Sequence, residues 1–357
     1  MQRLDALGWS PFFDEQITHE ERARLAPARV VWEARERYRL STGDAEWQAE
    51  LSGRIRHRAE SRADLPVVGD WVLADVRARE DRATIHRLLT RRTRFSRAAA
   101  GRSTEEQVVA ANVDSILLVT SFNRDFNVRR LERYLALTWE SGATPIIIVN
   151  KADLCDDPGQ WTNELAAVTQ GVPILATSAL RGDGVAELRE VLRLSGTTAL
   201  LGSSGVGKST LVNALVGGGV QDTLPIRFDD RGRHSTTARQ LFCLSSGGVL
   251  IDTPGMRELQ LWDAGDGLGH AFADIGQWAG DCRFRDCSHG GEPGCAVTAA
   301  VDRGDLPADR LASYHRLQRE NDFVRSRQDE SVRAERNRKV KQLTKAARLL
   351  YKLRNRR

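Results

Sequence analysis

From residue 28 to about 95 the apolar positions come in short alternating runs bounded by turn residues. Ala28–Glu33, Arg37–Thr42, Glu46–Leu51, Trp71–Val76 and Ala83–Leu89 predict five strands, with Gly43-Asp44 and Gly69-Asp70 as breaks. In the third run Trp47, Ala49 and Leu51 share one face. Five short strands in under 70 residues predict a small closed barrel of the oligonucleotide/oligosaccharide-binding (OB) type. Residues 1–27 show no such period and read as an N-terminal extension with a short helix. Residues 97–110 are small and polar and predict a flexible linker.

Beyond 112 the period alternates between strand and helix. Val113–Ser121 and Thr144–Val149 are continuous apolar runs, the pattern of buried parallel strands. Arg129–Glu140, Trp161–Thr169 and Val185–Leu194 carry helical spacing, and Pro173–Ala176 is a short strand. Ala199–Leu201 leads into a glycine loop, and Thr210–Val216 leads out as a helix. Gly217–Arg239 is a polar loop. Gln240–Leu244 and Gly248–Asp252 read as a hairpin. The stretch 112–262 therefore predicts a doubly wound α/β domain. Pro307–Arg319 and the basic run 328–357 predict helices.

Composition narrows the class. At 357 residues, two or three domains are expected. No apolar run is long enough to span a membrane, and Met1–Ser10 lacks the pattern of a secretory leader. Five cysteines in a chain of this size do not form a disulfide framework. Three of them cluster at 282–295, which implies metal and a reducing compartment. Arg316–Arg357 holds 15 Lys/Arg against 5 Asp/Glu, a local net of +10, which leaves −5 for the rest of a chain whose total is +5. A basic tail on a mildly acidic body points to a polyanion such as nucleic acid. The barrel region also sets arginines (Arg29, Arg35, Arg37, Arg39, Arg54, Arg56, Arg58) among Trp32, Tyr38, Trp47 and Trp71. That mixture suits stacked RNA bases, or alternatively an aromatic core under a solvated basic face.

The candidate chemistry centres on Gly202-Ser203-Ser204-Gly205-Val206-Gly207-Lys208-Ser209, followed by Thr210. Strand, glycine loop and helix in this spacing make a phosphate-binding P-loop. Its amides would wrap the phosphates, Lys208 would reach the β/γ-phosphates, and the Ser209 hydroxyl would hold Mg²⁺. Asp252-Thr-Pro-Gly255 closes an apolar strand, where an aspartate can hold Mg²⁺ through water and the Gly255 amide can meet a γ-phosphate. Asn150-Lys151-Ala152-Asp153 follows another strand. A carboxylate at Asp153 accepts from both guanine N1–H and the 2-amino group, a donor pair that adenine lacks, so GTP is favoured over ATP. Asn150 would brace the loops, and the Lys151 stem would cover the base. Thr177-Ser178-Ala179 offers amides to the guanine carbonyl. In most GTPases the phosphate loop precedes the base-reading loops; here it follows them, which predicts a circularly permuted GTPase. The γ-phosphate loop then runs directly into the C-terminal region, so hydrolysis is expected to couple to movement of that region.

Cys282-x4-Cys287-x-His289-x5-Cys295 gives the donor set of a tetrahedral Zn²⁺ site. With no open fourth position it reads as structural, and such sites contribute roughly 10–16 kcal/mol to folding in small peptides. Cys155 and Cys243 lie apart and read as ordinary residues.

On these motifs, and on the run Cys282-Arg-Phe-Arg-Asp-Cys-Ser-His-Gly-Gly-Glu-Pro-Gly-Cys-Ala-Val297, the chain from about 28 to 325 resembles the RsgA (YjeQ) family of small ribosomal subunit biogenesis GTPases. The resemblance implies a cytoplasmic GTPase stimulated by the 30S subunit and bound to 16S rRNA. It also implies GTP/GDP as ligands, one Zn²⁺ per chain, Mg²⁺ with GTP, and a monomer. It assigns phosphate and Mg²⁺ contacts to Gly205–Thr210 and guanine binding to Asn150, Lys151 and Asp153. Zinc would be held by Cys282, Cys287, His289 and Cys295. Thr236 or Thr237 would be the switch threonine that completes the Mg²⁺ shell. Where Ras-like proteins carry a water-orienting glutamine after Asp-x-x-Gly, this chain has Met256, whose thioether donates no hydrogen bond. Slow intrinsic hydrolysis is expected, with His234 as the catalytic substitute beside Lys208. The expected boundaries are 1–27 (extension), 28–96 (barrel), 97–265 (permuted GTPase) and 266–357 (zinc module with basic tail). Two other classes remain open to test: a P-loop ATPase or kinase with RNA-binding appendages, and a zinc-containing RNA-binding protein that uses nucleotide only for its fold.

Overall fold

The computed structural model describes residues 2–34, 36–98, 106–122, 126–169, 171–217, 239–253 and 265–326. Candidates His234, Thr236, Thr237, Gly255 and Met256, and the tail 328–357, lie outside the described residues.

Three short helices open the chain: α1 (Gln2–Asp5), α2 (Pro11–Asp14) and α3 (His19–Arg24). The barrel follows as β1 (Ala26–Ala34), β2 (Arg37–Ser41), β3 (Glu46–Leu51), the helix α4 (Gly53–Arg58), β4 (Trp71–Arg77) and β5 (Arg82–Leu88). Each strand pairs with the next in the order β1-β2-β3-β5-β4, and β4 returns to β1, closing the ring. Inward positions such as Val30, Leu40, Val72 and Ile85 are fully buried, as the alternating pattern requires.

The extension is more structured than its sequence suggests. Trp9 and Phe13 pack edge-on and tilted against Trp71, with ring centroids 4.6 and 5.8 Å away. These aromatics seal the outside of the barrel wall, so Trp71 is core rather than a platform for bases. Arg29 also departs from the solvated reading. It is 1% exposed and donates to the carbonyls of Leu7, Gly69 and Asn112 and to Thr197 Oγ1. Of the linker expected at 97–110, the described residues 97–98 and 106–110 are instead strand, in β6 (Arg94–Ala98) and β7 (Glu106–Ala111), which pair antiparallel. Val108, Val109, Ala110 and Ala111 are buried: Val109 and Ala110 belong to the cluster that holds Val31, Val68 and Ile116, and Val108 and Ala111 to one with Val67.

The α/β region comprises β8 (Ser115–Ser121), α5 (Val128–Glu140), β9 (Thr144–Asn150), α6 (Pro158–Thr169), β10 (Ile174–Ala176), α7 (Val185–Leu194), β11 (Thr197–Leu201), α8 (Lys208–Val216), β12 (Arg239–Cys243) and β13 (Val249–Asp252). The sheet runs β10-β9-β8-β11-β13-β12, parallel except for the antiparallel β12. β12 then pairs with β1, so sheet and barrel form one continuous structure of 11 strands.

The C-terminal region is helical: α9 (Gly265–Ala271), α10 (Ala273–Ala279), α11 (Ala296–Arg303) and α12 (308–326). It docks on α5. Buried Glu132 of α5 accepts from Arg310 Nη1 at 2.8 Å and from Ser313, while Arg310 Nε reaches Asp274 at 2.8 Å. A buried carboxylate is tolerated only when paired and hydrogen-bonded in this way. Arg133 adds a 2.7 Å ion pair to Glu320 on the rim.

Candidate functional site

β11 lies in the middle of the α/β sheet although three of its companion strands precede it in the chain. From β8 the chain steps outward through β9 to β10; from β11 it passes in the opposite direction to β12 and comes back to β13, which lies between them. The crevice at the carboxyl ends of β8 and β11 is the switch point where open α/β sheets bind ligands. The P-loop leaves β11 there. Gly202 sits so close to β8 that a Cβ would lie 2.3 Å from the Val119 carbonyl. Gly207 has φ +94° and would place a Cβ 2.4 Å from Asn150 Nδ2. Only glycine fits both positions, and the second lets the base-reading loop touch the phosphate loop.

That touch is specific. Asn150, 2% exposed at the end of β9, donates from Nδ2 to the Val206 carbonyl at 2.9 Å. Its Oδ1 accepts from Thr177 Oγ1 at 3.2 Å and from the Ala179 amide at 3.1 Å. One side chain thus ties together the loops at 150–153, 177–179 and 202–209. Lys151 follows in the left-handed region with φ +63°. Asp153 accepts from Ser178 Oγ at 2.6 Å. The Ser178 hydroxyl holds the Asp153 carboxyl below the usual aspartate range, so it is ionised at neutral pH. Lys208 Nζ donates to the carbonyls of Gly202 and Ser203, each at 2.6 Å, within the loop it would share with phosphate.

Asp252 ends β13 beside β11. Burial pushes its carboxyl pKa up, and Lys208 opposes the shift. Thr253 Oγ1 donates to the Leu200 carbonyl at 3.0 Å, fastening the start of the Asp-x-x-Gly segment to the P-loop strand. The structure therefore gathers Asn150, Asp153, Ser178, Ala179, Gly202–Ser209 and Asp252 around one crevice. Bracing by Thr177 and Thr253 was not legible in the sequence, because a threonine after a strand carries no signal until its acceptor is known.

The second constellation sits between α10 and α11. One ligand atom from each of Cys282, Cys287, His289 and Cys295 lies within 4.8 Å of every other. The sulfurs of Cys282 and Cys295 are 3.9 Å apart, and each lies 3.6 Å from His289 Nδ1. Tetrahedral Zn²⁺ with its normal bond lengths gives S–S edges of about 3.8 Å and S–N edges of about 3.5 Å, so the donors fit that ion. His289 adopts φ +60°, an uncommon conformation for a residue with a side chain, and one that aims Nδ1 at the sulfurs. Glu292 supports the loop, accepting from the Ser288 and Gly290 amides at 2.9 and 2.8 Å.

A third feature is a groove of about 750 Å³ on the barrel, lined among others by Trp32, Arg37, Tyr38, Arg39, Arg56 and Arg82. The Arg39 guanidinium lies over the Trp32 ring, 5.3 Å from its centroid.

A P-loop on a central strand whose base-reading partners come earlier in the chain defines a circularly permuted GTPase. The RsgA GTPase family model matches residues 88–262. A small ribosomal subunit biogenesis GTPase RsgA from Opitutus terrae is 44% identical over 94% of both chains. One from Methanosarcina acetivorans is 49% identical over 77% of this chain and 74% of its own. Among solved structures, YjeQ from Thermotoga maritima matches with a TM-score of 0.62 at 27% identity, over 83% of this chain and 98% of that one. YloQ, described as a circularly permuted GTPase, matches with a TM-score of 0.60 at 26% identity, over 86% of this chain and 98% of that one. The chain belongs to the RsgA family, and it is a GTP-hydrolysing enzyme.

Proposed function

We propose that this GTPase is an assembly factor of the small ribosomal subunit, that it binds the 30S particle through 16S rRNA, and that the particle stimulates its hydrolysis. Its relatedness across 94% of the Opitutus terrae protein is the observation that carries this reading, because that similarity spans the barrel and the zinc module as well as the GTPase. The groove with Trp32 and four arginines supports contact with RNA, since guanidinium groups meet phosphates and an aromatic face stacks on a base. Such a protein works in the cytoplasm, as a monomer on each particle. No helix among the described residues is long and apolar enough to cross a membrane.

In the site, Gly202–Thr210 cradle the phosphates, Lys208 neutralises the β/γ charge, and Asn150, Lys151, Asp153, Ser178 and Ala179 hold guanine. Ser209 and either Thr236 or Thr237 would hold Mg²⁺, with Asp252 reaching it through water, and Gly255 would meet the γ-phosphate. Mg²⁺, when bound, neutralises charge developing on the transferred phosphoryl group. Zn²⁺ bound by Cys282, Cys287, His289 and Cys295 fixes the loop between α10 and α11. Met256 leaves the attacking water without an orienting donor, so His234 supplies that donor when the protein is on the ribosome.

The test is multiple-turnover GTP hydrolysis with 30S, with 50S and without subunits. Stimulation by 30S alone is expected, with His234→Ala still binding GTP but losing most of the stimulated rate. Equal stimulation by 50S would sink the small-subunit reading, and a full stimulated rate in His234→Ala would remove that residue from catalysis. ATP competing equally with GTP would favour a P-loop ATPase or kinase. Nucleotide binding without turnover on 30S would favour an RNA-binding protein that uses nucleotide for its fold.

A further inference from the structure

The groove on the barrel and the nucleotide crevice are joined by a single cross-strand row. Trp32 of β1 pairs with Gln240 of β12, and Gln240 pairs with Asp252 of β13. Trp32 lines the groove; Asp252 ends the strand beside the P-loop. A bulge between Val30 and Trp32 breaks the regular pairing of β1 with β2, leaving Trp32 opposite Arg39. A bulge of this kind re-aims a side chain and bends the strand that carries it.

Among the described residues, Trp32 and Glu33 of β1 stand in register against Gln240 and Arg239 of β12. On its other side β12 pairs with β13 over Gln240–Cys243, so the register across both seams sets Trp32, Gln240 and Asp252 in one row. An ion pair beside this row reinforces the register. Arg239 Nη1 lies 3.1 Å from Glu33 Oε2, with the two side chains 14% and 21% exposed. Arg239 also reaches the Val108 carbonyl of β7 at 3.5 Å. Removing either charge would leave the other partly buried and unpaired, a costly state.

We propose that Glu33 and Arg239 are positioning residues that lock β12 between the barrel and Asp252, so that a ligand seated against Trp32 is felt at the nucleotide site. The identity of that ligand as ribosomal RNA rests on the preceding reading; the row and its lock do not. A ligand that draws Trp32 toward the groove pulls on Gln240, and through it on the strand end that carries Asp252. The locked register makes the three strands move as a unit.

The experiment uses the full-length protein with Glu33→Gln, Arg239→Gln, the conservative Arg239→Lys, and the charge exchange Glu33→Arg with Arg239→Glu. Each is assayed for GTP turnover with and without 30S subunits, for 30S binding by co-sedimentation, and for Mg²⁺ dependence of fluorescent GDP affinity. Both neutralised variants should keep basal turnover within about twofold and still co-sediment with 30S, yet lose tenfold or more of the stimulation. Arg239→Lys should retain at least half of it, and the charge exchange should restore it. The Mg²⁺ concentration for half-maximal GDP affinity should rise in the neutralised variants and return in the exchange. A general loss of stability would not produce that pattern. Full stimulation in either neutralised variant, or an exchange as defective as the single variants, overturns the proposal. Wild-type turnover indifferent to 30S would sink the ribosomal reading instead. The lock would then be judged on the Mg²⁺ dependence alone, and an unchanged dependence would overturn it.

Discussion

Asn150 makes three hydrogen bonds that link three loops of the nucleotide crevice, and Asp153 three residues on is oriented by Ser178. This arrangement separates bracing from recognition. Asn150 faces protein and is buried, whereas Asp153 keeps carboxylate capacity beyond its bond to Ser178. On the proposed assignment, specificity for guanine would depend on the charge and acceptor character of Asp153. Asp153→Asn should lower GTP affinity by about 10³–10⁴-fold, because the amide presents a donor to the guanine amino group. The same change should raise affinity for xanthosine triphosphate, whose 2-oxo group accepts from that donor; titration with labelled nucleotides reads both effects. GTP affinity unchanged by this substitution would remove Asp153 from base recognition. The motif was legible from spacing because such a site needs these residue types in this order. The bracing partners Thr177 and Thr253 were not, since each contacts a carbonyl or amide oxygen that only folding brings near.

At the scale of elements, α3 shows how a short helix is held. Thr18 and Glu21 form a reciprocal capping box, and Glu21 also binds Arg87 of β5 at 2.7 Å. The Thr18 amide first, and Arg87 next, hold the Glu21 carboxyl below the usual glutamate range. A carboxyl with a lowered folded pKa adds stability that is complete above its unfolded value near 4.5 and is lost as pH falls through the folded value. Glu21→Gln should therefore cost about 1 kcal/mol at pH 7. Thermal melts of the two proteins should converge as pH drops below about 4. A gap that stays constant down to pH 3 would mean that charge is not what holds this helix. The same scale explains the pair β6 and β7. Its alanines and short polar residues predict a linker by composition, but β7 buries Val109 and Ala110 in one cluster with Val31 and Ile116. Arg29 is the companion case. A residue that reads as solvated is buried with four hydrogen-bond acceptors from separate segments, and burial draws its pKa down to about 10.

Across the whole molecule, three modules share two seams. The barrel joins the α/β sheet through β1 and β12, and the zinc module joins it through α5 and Arg310. The second seam predicts what metal removal does. Chelating Zn²⁺ should release the loop 282–295 and speed proteolysis between α10 and α11, while guanine nucleotide binding in the crevice at the carboxyl ends of β8 and β11 persists. Metal analysis should give one Zn²⁺ per chain, falling to none in Cys282→Ser. Loss of nucleotide binding together with the metal would show that the zinc module supports the crevice directly. The sequence by itself determined the barrel strands, the βα alternation, the permuted motif order and the four members of the Cys₃His cluster. Each of these is written in local periodicity or in the spacing of residues whose chemistry admits few alternatives. Only the tertiary structure decided that Arg29, Glu132 and Arg310 are buried, that β12 bridges the barrel and the nucleotide sheet, and that Trp32 shares a row with Asp252. Those facts depend on which distant segments meet, and a charged residue looks the same in sequence whether its partners are water or the far end of the chain.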